Sequence, residues 1–306
     1  MIRTGLVMCL LLPLHATTYY VTVAGLGGEP DYEQRFSGWA KDIDKVVRGT
    51  ADAKVDTLYG PDATRAKIQD VFARVSREAK PDDLLVLMMI GHGTYDGVEY
   101  KMNLPGPDLS AAELATLLDR VPAKRQVVVN MTSCSGASRA LLERPNRVVI
   151  TATKSGSERN ATIFARYWAE ALRDPSADTD KNETISALEA FRYAEQKTSN
   201  FYNTQKRLAT EHAMLDDTGK GEGVRAPSAD NGQGLVAARM PLLRTGAAQV
   251  AASDPAKKAL MAKKDELEQQ IDQLKYQKAA LAPEAYKQQL SALLLELAKT
   301  QAELDK

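Results

Sequence analysis

The sequence has no excess of charge of either sign. Its 306 residues include 40 lysines and arginines and 40 aspartates and glutamates, so the formal net charge at pH 7 is zero. A chain without an overall field does not collect nucleic acid or an anionic membrane surface by bulk charge. With 44% hydrophobic and 26% charged residues, the composition excludes disorder throughout the chain. We expect a sizeable core and no nucleic-acid partner.

The sequence also lacks an apolar run long enough to span a bilayer. One cation, Arg3, precedes an apolar run at residues 5–14. This run of roughly ten residues is far shorter than the about 20 that a transmembrane helix needs, and it fits a secretory signal cleaved after Ala16. We expect a secreted or periplasmic protein that loses residues 1–16 and keeps no stable membrane span. The alternative is that this run is a strand or helix of the fold itself.

Cysteine is scarce, since the chain has only Cys9 and Cys134. Cys9 lies within the expected signal, so Cys134 would be the only cysteine of the mature protein and no internal disulfide would form. In an oxidising compartment, a lone thiol is a liability unless it is buried, paired between chains or used. Cys134 is therefore the first candidate for a reactive residue.

Hydrophobic runs of strand length alternate with helical patterns in the first part of the chain. The later runs are apolar on both faces, as central strands of a parallel sheet are. Ser110 and Glu113 have the capping-box spacing at the start of one helical pattern. The alternation predicts an α/β fold with a doubly wound, mostly parallel sheet flanked by helices. The predicted strands are residues 19–24, 54–58, 84–90, 126–130 and 147–152.

No strand is predicted beyond Pro175. Helical patterns continue to about residue 215. Residues 216–234 are rich in glycine, aspartate and serine, which predicts a flexible linker over residues 216–253. From residue 254, leucines recur at intervals of seven, and Pro283 interrupts the series. The pattern predicts a C-terminal helical hairpin or coiled coil over residues 254–306. An intramolecular hairpin is the default, and self-association through this segment is the alternative.

His92 and Cys134 each lie just beyond the end of a predicted strand. Ligands of open parallel sheets bind beyond the carboxyl ends of the strands, where loops converge. A neighbouring imidazole raises the thiolate fraction of a thiol and can later protonate the leaving amine. The backbone amides of Gly93 and Cys134 would then face a developing oxyanion. His212 lies in a polar stretch, and we expect it at the surface.

Three motifs occur in order, each at the end of a predicted strand. They are Gly91-His92-Gly93, Ser133-Cys134-Ser135-Gly136 and Thr151-Ala152-Thr153 leading into Ser155-Gly156-Ser157-Glu158-Arg159. With these motifs, roughly residues 19–172 resemble the caspase-like cysteine peptidases, and within them the legumain-type enzymes most closely. In that family the histidine and cysteine form the catalytic dyad, and the glycine after the histidine contributes to the oxyanion hole. The resemblance therefore implies catalytic roles for His92, Cys134 and Gly93.

The chain departs from the legumain-type pattern at the substrate pocket. Legumain-type enzymes carry an acidic residue two positions before the cysteine that helps to recognise asparagine, whereas this chain has Thr132. Asparaginyl preference is thus not implied. Arg35 lies near the place of the family's pocket arginine, slightly out of register, and is a candidate for substrate binding. A serine nucleophile at Ser133 or Ser135 is disfavoured because the Gly-x-Ser-x-Gly elbow is absent.

Residues 178–189 have the ligand spacing of an EF-hand loop. Oxygen ligands fall at positions one, three, five, seven, nine and twelve, with a backbone carbonyl at position seven. Position six is Glu183, where the motif has glycine. The spacing predicts a structural Ca²⁺ site, and the alternative is a polar N-cap ahead of a helix without metal. The candidate ligands are Asp178, Asp180, Asn182, Thr184, Ser186 and Glu189.

The sequence thus predicts a cysteine-type endopeptidase that cuts protein or peptide substrates through an acyl-enzyme on Cys134 and needs no cofactor for catalysis. The alternative is a noncatalytic caspase-like scaffold or calcium-dependent interaction module that acts through its helical tail. The expected segments are a signal at 1–16, a caspase-like peptidase domain at 17–175, a helical extension with the EF-hand-like loop at 176–215, a linker at 216–253 and a hairpin at 254–306.

Overall fold

The computed structural model describes residues 16–254 and 256–306. The expected signal peptide, apart from Ala16 at its end, lies outside the described residues. The strands are β1 Thr18–Ala24, β2 Ala53–Leu58, β3 Leu84–Gly91, β4 Gly93–Tyr95, β5 Tyr100–Met102, β6 Leu109–Ser110, β7 Arg125–Thr132, β8 Arg147–Thr151, β9 Thr184–Ser186, β10 Met214–Asp216 and β11 Pro241–Arg244. The helices are α1 Pro30–Val47, α2 Arg65–Glu78, α3 Ala111–Asp119, α4 Arg139–Leu142, α5 Phe164–Ala171, α6 Ala187–Thr204, α7 Leu235–Ala238, α8 Gly246–Ser253, α9 Lys258–Tyr276 and α10 Pro283–Leu304.

Six strands form one sheet in the order β10-β8-β7-β3-β1-β2. Five of them are mutually parallel, and β10 joins the edge antiparallel to β8. Each of the five predicted strands is found within two residues of its predicted bounds. The capping box of Ser110 and Glu113 is also formed at the start of α3. The structure therefore confirms an α/β fold with a mostly parallel sheet flanked by helices.

Side chains of the sheet alternate between two hydrophobic cores. Even-numbered residues of β3 pack on the side of α1, α5 and α6, and odd-numbered residues pack on the side of α2 and α3. Trp168 of α5 is fully buried, and its indole N–H lies 3.4 Å from the sulfur of Met88. All eight residues of β3 are buried, which explains why the run is apolar on both faces.

Residues 176–253 contain three strands that the sequence pattern did not predict. β10 completes the edge of the main sheet, and β9 pairs antiparallel with β11. The predicted flexible linker at 216–253 is wrong, because Leu242 and Leu243 are buried in the core and Asp216 and Asp217 are buried as well. The two aspartates accept hydrogen bonds from backbone N–H groups of the turns around them. The polar composition therefore serves turns that fold onto the domain.

The C-terminal helices α9 and α10 are present as predicted and pack against each other across a turn at residues 277–282. The pair also contacts the rest of the chain. The ammonium of Lys258 lies 3.0 Å from the carboxylate of Asp52, and the hydroxyl of Tyr276 donates to the carbonyl of Gln233 at 2.8 Å. Within the described residues, no helix combines the length and apolar character that crossing a membrane requires.

We expect Asp217→Ala to lower the free energy of unfolding by about 3 kcal/mol, since it leaves buried N–H donors without an acceptor. The Asp217 carboxylate accepts the N–H groups of Gly234, Val236 and Ala237 at 2.8–2.9 Å. Urea unfolding measures the change, with Asp230→Ala in the same segment as an exposed control. Equal stability of the two variants would contradict the assignment of Asp217 as a fold-stabilising residue.

Candidate active site

The candidate dyad lies at the carboxyl edge of two neighbouring strands. β3 and β7 pair in parallel, and Gly91 at the end of β3 stands opposite Thr132 at the end of β7. His92 follows Gly91 directly, and Cys134 lies two residues beyond Thr132. The structure therefore brings both predicted residues to one edge of the sheet, as expected from the position of each after its strand.

The Cys134 side chain is buried. The residue is 1% exposed and belongs to the core on the α2 and α3 side. Its backbone is left-handed, with φ of 57°, at the start of a short 3₁₀ turn over residues 135–138. Burial raises the pKa of the thiol, and this effect exceeds the lowering by the charge of Arg159 and by a hydrogen bond with the Tyr95 backbone. At neutral pH, this thiol is more fully protonated than free cysteine.

The His92 ring packs against α1. It makes edge-on contacts with Tyr32 and Phe36, at centroid distances of 4.7 and 5.1 Å. Burial lowers the pKa of His92, while a hydrogen bond to the Gly27 backbone and nearby glutamates raise it to a lesser degree. In the described part of the chain, the hydrogen bonds of His92 do not include Cys134, whose thiol lies on the side of the small β4–β5–β6 sheet. The imidazole and the thiol thus share an edge without a direct bond.

Both backbone amides predicted to face an oxyanion already have acceptors. The Cys134 N–H donates to the carbonyl of Glu158 at 2.9 Å. The Gly93 N–H points to the hydroxyl of Ser133 at 3.4 Å. The geometry is therefore that of a closed site, and the amide of Cys134 becomes available to a substrate only if the Glu158 carbonyl moves away.

A buried polar network supports the end of β7, and sequence reasoning missed it. The hydroxyls of Thr132 and Tyr100 are 2.5 Å apart, and Thr132 also donates to the side-chain oxygen of Asn130 at 2.8 Å. Asn130 in turn donates to Ser138 at 3.0 Å. Thr132 is fully buried, so it anchors the strand end and does not line a substrate pocket. No spacing in the sequence links residue 100 to this network.

His212 is not the isolated surface residue that the sequence suggested. Its ring nitrogen Nδ1 lies 2.5 Å from the carboxylate of Glu158, and its side chain is 29% exposed. Glu158 is the residue whose carbonyl accepts the Cys134 amide. His212 is therefore connected to Cys134 through its contact with Glu158. His212 lies after α6 and just before β10. The sequence pattern did not predict β10, so it could not show that His212 lies near Glu158.

Arg35 lies at the rim of the site, on α1. Its guanidinium pairs with Asp31 and lies 5.1 Å from the centre of the Tyr32 ring. Tyr32 is the same residue that contacts His92. The Arg35 side chain is half exposed, so its charge faces solvent on the histidine side of the edge.

The EF-hand-like loop brings three carboxylates together. Asp178, Asp180 and Glu189 each offer an oxygen, and these oxygens lie within 4.8 Å of one another. Asp180 keeps solvent exposure, yet partial burial of its carboxyl group and then the charge of Glu189 raise its pKa to about 6. Glu183, at position six, has φ of 63° and so takes the conformation that glycine has there. Its carboxylate accepts the N–H of Ala248 at 2.7 Å.

The other predicted ligands have roles within the loop. The Asn182 side-chain oxygen accepts the Thr184 N–H at 2.8 Å, and Thr184 begins β9. Ser186 is the N-cap of α6 and forms a capping box with Glu189. The loop therefore contains both arrangements that the sequence allowed, the carboxylate cluster and the helix cap.

No protein-family model matches the sequence. Among curated proteins, none matches it either.

The chain is similar in fold to many solved structures, among them the following three. The Drosophila initiator caspase Dronc is 10% identical with a TM-score of 0.44, and the alignment covers 68% of this chain and 82% of Dronc. A Geobacter sulfurreducens protein is 12% identical with a TM-score of 0.46, covering 72% and 97%. Caspase-1 from Spodoptera frugiperda is 14% identical with a TM-score of 0.43, covering 60% and 76%. At such low identity, these likenesses do not identify reacting residues.

We expect iodoacetamide to alkylate Cys134 in the native protein at least about tenfold more slowly at pH 7.5 than it alkylates an unstructured peptide of the same local sequence. The buried thiol has a raised pKa and little contact with solvent. Mass spectrometry of the peptide that contains Cys134 follows the reaction at that residue. Alkylation as fast as in the free peptide would contradict the closed geometry.

Proposed function

We propose that the chain is a cysteine-type endopeptidase with Cys134 as nucleophile and His92 as general base and acid. The observation that carries the proposal is the pairing of β3 with β7, which sets both residues at one edge of the sheet. The caspase-like motifs around them support the same roles. The proposed export signal would place the substrates, proteins or peptides, outside the cytoplasm.

In the proposed reaction, His92 takes the thiol proton and the Cys134 sulfur attacks the peptide carbonyl carbon. The carbon–nitrogen bond breaks as His92 returns the proton to the leaving amine. Water then hydrolyses the thioester and releases the acid product and the free thiol. The imidazole and the sulfur must approach each other for these steps to occur. In the structure, the His92 ring packs against Tyr32 and Phe36, whereas the Cys134 thiol contacts the Tyr95 backbone.

We expect cleavage of a varied peptide library to fall at least about 10³-fold in Cys134→Ala and about 10²-fold or more in His92→Ala. Mass spectrometry of the products measures the rate and the residues flanking each cut. Asp230→Ala, an exposed change far along the chain, should retain wild-type activity. Cleavage that survives Cys134→Ala would assign the activity to another residue or another protein.

A second candidate function is that of a calcium-dependent interaction module. The observation that favours it is the contact between the EF-hand-like loop and α9. The Asn182 amide donates to the carboxylate of Glu268 at 3.1 Å, and the ammonium of Lys264 donates to the Asn182 carbonyl at 3.2 Å. A Ca²⁺ ion held by Asp178, Asp180 and Glu189 would therefore lie beside the C-terminal hairpin.

We expect the full chain to bind Ca²⁺ and Asp180→Asn to weaken binding about tenfold or more, because the site loses one of its charged oxygen ligands. Isothermal titration calorimetry measures the affinity, with Asp230→Asn as the matched control. Absence of binding at millimolar Ca²⁺ would leave the helix cap as the sole role of the loop.

Sedimentation velocity with and without Ca²⁺ tests whether the full chain self-associates through its C-terminal hairpin. If the chain is an interaction module, Cys134→Ala should leave this self-association unchanged.

A further inference from the structure

Residues 153–163, here called the lid, lie against the turn that carries Cys134. The Gly136 N–H donates to the Thr153 hydroxyl at 2.9 Å, and the Thr153 N–H donates to the Ser135 hydroxyl at 3.1 Å. In the middle of the lid, the Glu158 carbonyl accepts the Cys134 N–H. The lid therefore contacts three successive residues of the turn, including the proposed nucleophile.

The lid also reaches across Cys134 to the strand that follows His92. Gly156 lies so close to the Tyr95 ring that a Cβ atom there would clash with it, and a Cβ on Gly136 would clash with the lid backbone at Lys154 and Ser155. The backbone of Tyr95 also forms a hydrogen bond with the Cys134 thiol. Glycine at positions 136 and 156 thus permits a close approach of the lid to the turn that carries Cys134 and to Tyr95.

Two consecutive side chains from outside the lid hold it in place. The Glu158 carboxylate accepts the N–H of His212 at 3.1 Å and pairs with its ring nitrogen at 2.5 Å. Glu211 is 3% exposed, and its carboxylate accepts the N–H of Ile163 at 2.8 Å and of Phe164 at 3.2 Å. Glu211 and His212 belong to the segment between α6 and β10. This segment therefore binds the middle of the lid at Glu158 and its end at Ile163.

We propose that the lid keeps the proposed active site closed, and that the pair of Glu158 with His212 is the latch that must release before Cys134 can react. This inference rests on the proposed peptidase function, since a closed lid has a purpose only over a reactive thiol. When the latch releases, the Glu158 carbonyl leaves the Cys134 N–H, which then becomes a free donor for the carbonyl oxygen of a substrate. Glu158 and His212 are positioning residues in this scheme because they touch neither the substrate nor the sulfur.

The test is the alkylation rate of Cys134 by iodoacetamide in Glu158→Gln and His212→Ala. We expect each variant to react roughly tenfold faster than the unmodified chain, because a charge-assisted contact of the closed state is lost. Ser157→Ala is the matched control, since Ser157 lies in the lid and, within residues 16–254 and 256–306, its hydroxyl forms a hydrogen bond only with the Ser155 hydroxyl. Urea unfolding of every variant separates local opening from loss of the fold, and Glu158→Gln preserves the shape of the side chain.

The outcomes separate the lid from the peptidase. Faster alkylation in both latch variants, with an unchanged unfolding midpoint and no change in Ser157→Ala, supports the lid. Unchanged alkylation in both variants, or equal acceleration in the control, overturns it. If the latch variants react faster yet cleave no peptide in the library, the lid stands and the peptidase proposal fails. If the unmodified chain cleaves peptides and the latch variants neither react nor cleave faster, the peptidase stands and the lid fails.

Discussion

The parallel pairing of β3 with β7 is the constraint on which the candidate site depends. Side chains in a strand alternate faces, so a shift of one residue in this pairing would move His92 relative to Cys134 and change which core each strand residue enters. The register is fixed because both strands are buried on both faces. The polar network of Thr132, Tyr100 and Asn130 adds a directional constraint at the strand end. Packing of the hydrophobic core thus sets the positions of His92 and Cys134 at the edge of the sheet.

The environments of Cys134 and His92 disfavour the thiolate and the imidazolium, the charged forms that the proposed reaction produces. Burial raises the pKa of the Cys134 thiol and lowers the pKa of His92. Both shifts favour the neutral forms, so a neutral thiol and a neutral imidazole are the resting pair at neutral pH. A general base acts in its neutral form, and the thiol needs only to lose its proton during the reaction. In the proposed reaction, this neutral pair reacts only when the two side chains come within hydrogen-bonding distance.

Sequence reasoning found the long strands and the candidate dyad because both depend on local patterns. The run at residues 84–90 is apolar on both faces, and its end coincides with Gly91-His92-Gly93. Short elements were missed, since β9 and β10 have only three residues each and show no periodicity. The linker at 216–253 was misjudged for a related reason. Its glycines and aspartates are typical of mobile loops, but here buried carboxylates hold the turns through backbone contacts that composition does not encode.

The same limit explains why the lid was invisible in the sequence. Its contacts join residues 153–163 to Cys134 and to His212 over separations that no motif spans. The sequence pattern places Glu158 only in a strand-end motif, whereas its carbonyl accepts the Cys134 N–H and its carboxylate contacts His212. A short segment of backbone that is held by residues distant in sequence needs no internal periodicity, so its proposed role rests on the tertiary contacts alone.

The helix α6 joins the EF-hand-like loop to the segment that contacts the lid. α6 begins at Ala187, directly after its N-cap Ser186 in the EF-hand-like loop, and its last residue leads into the segment that contains Glu211 and His212. A helix of 18 residues is about 27 Å long. α6 packs along α5, and α5 begins at Phe164, directly after the last residue of the lid. One helix of the core thus joins the carboxylate loop to the segment that contacts the lid.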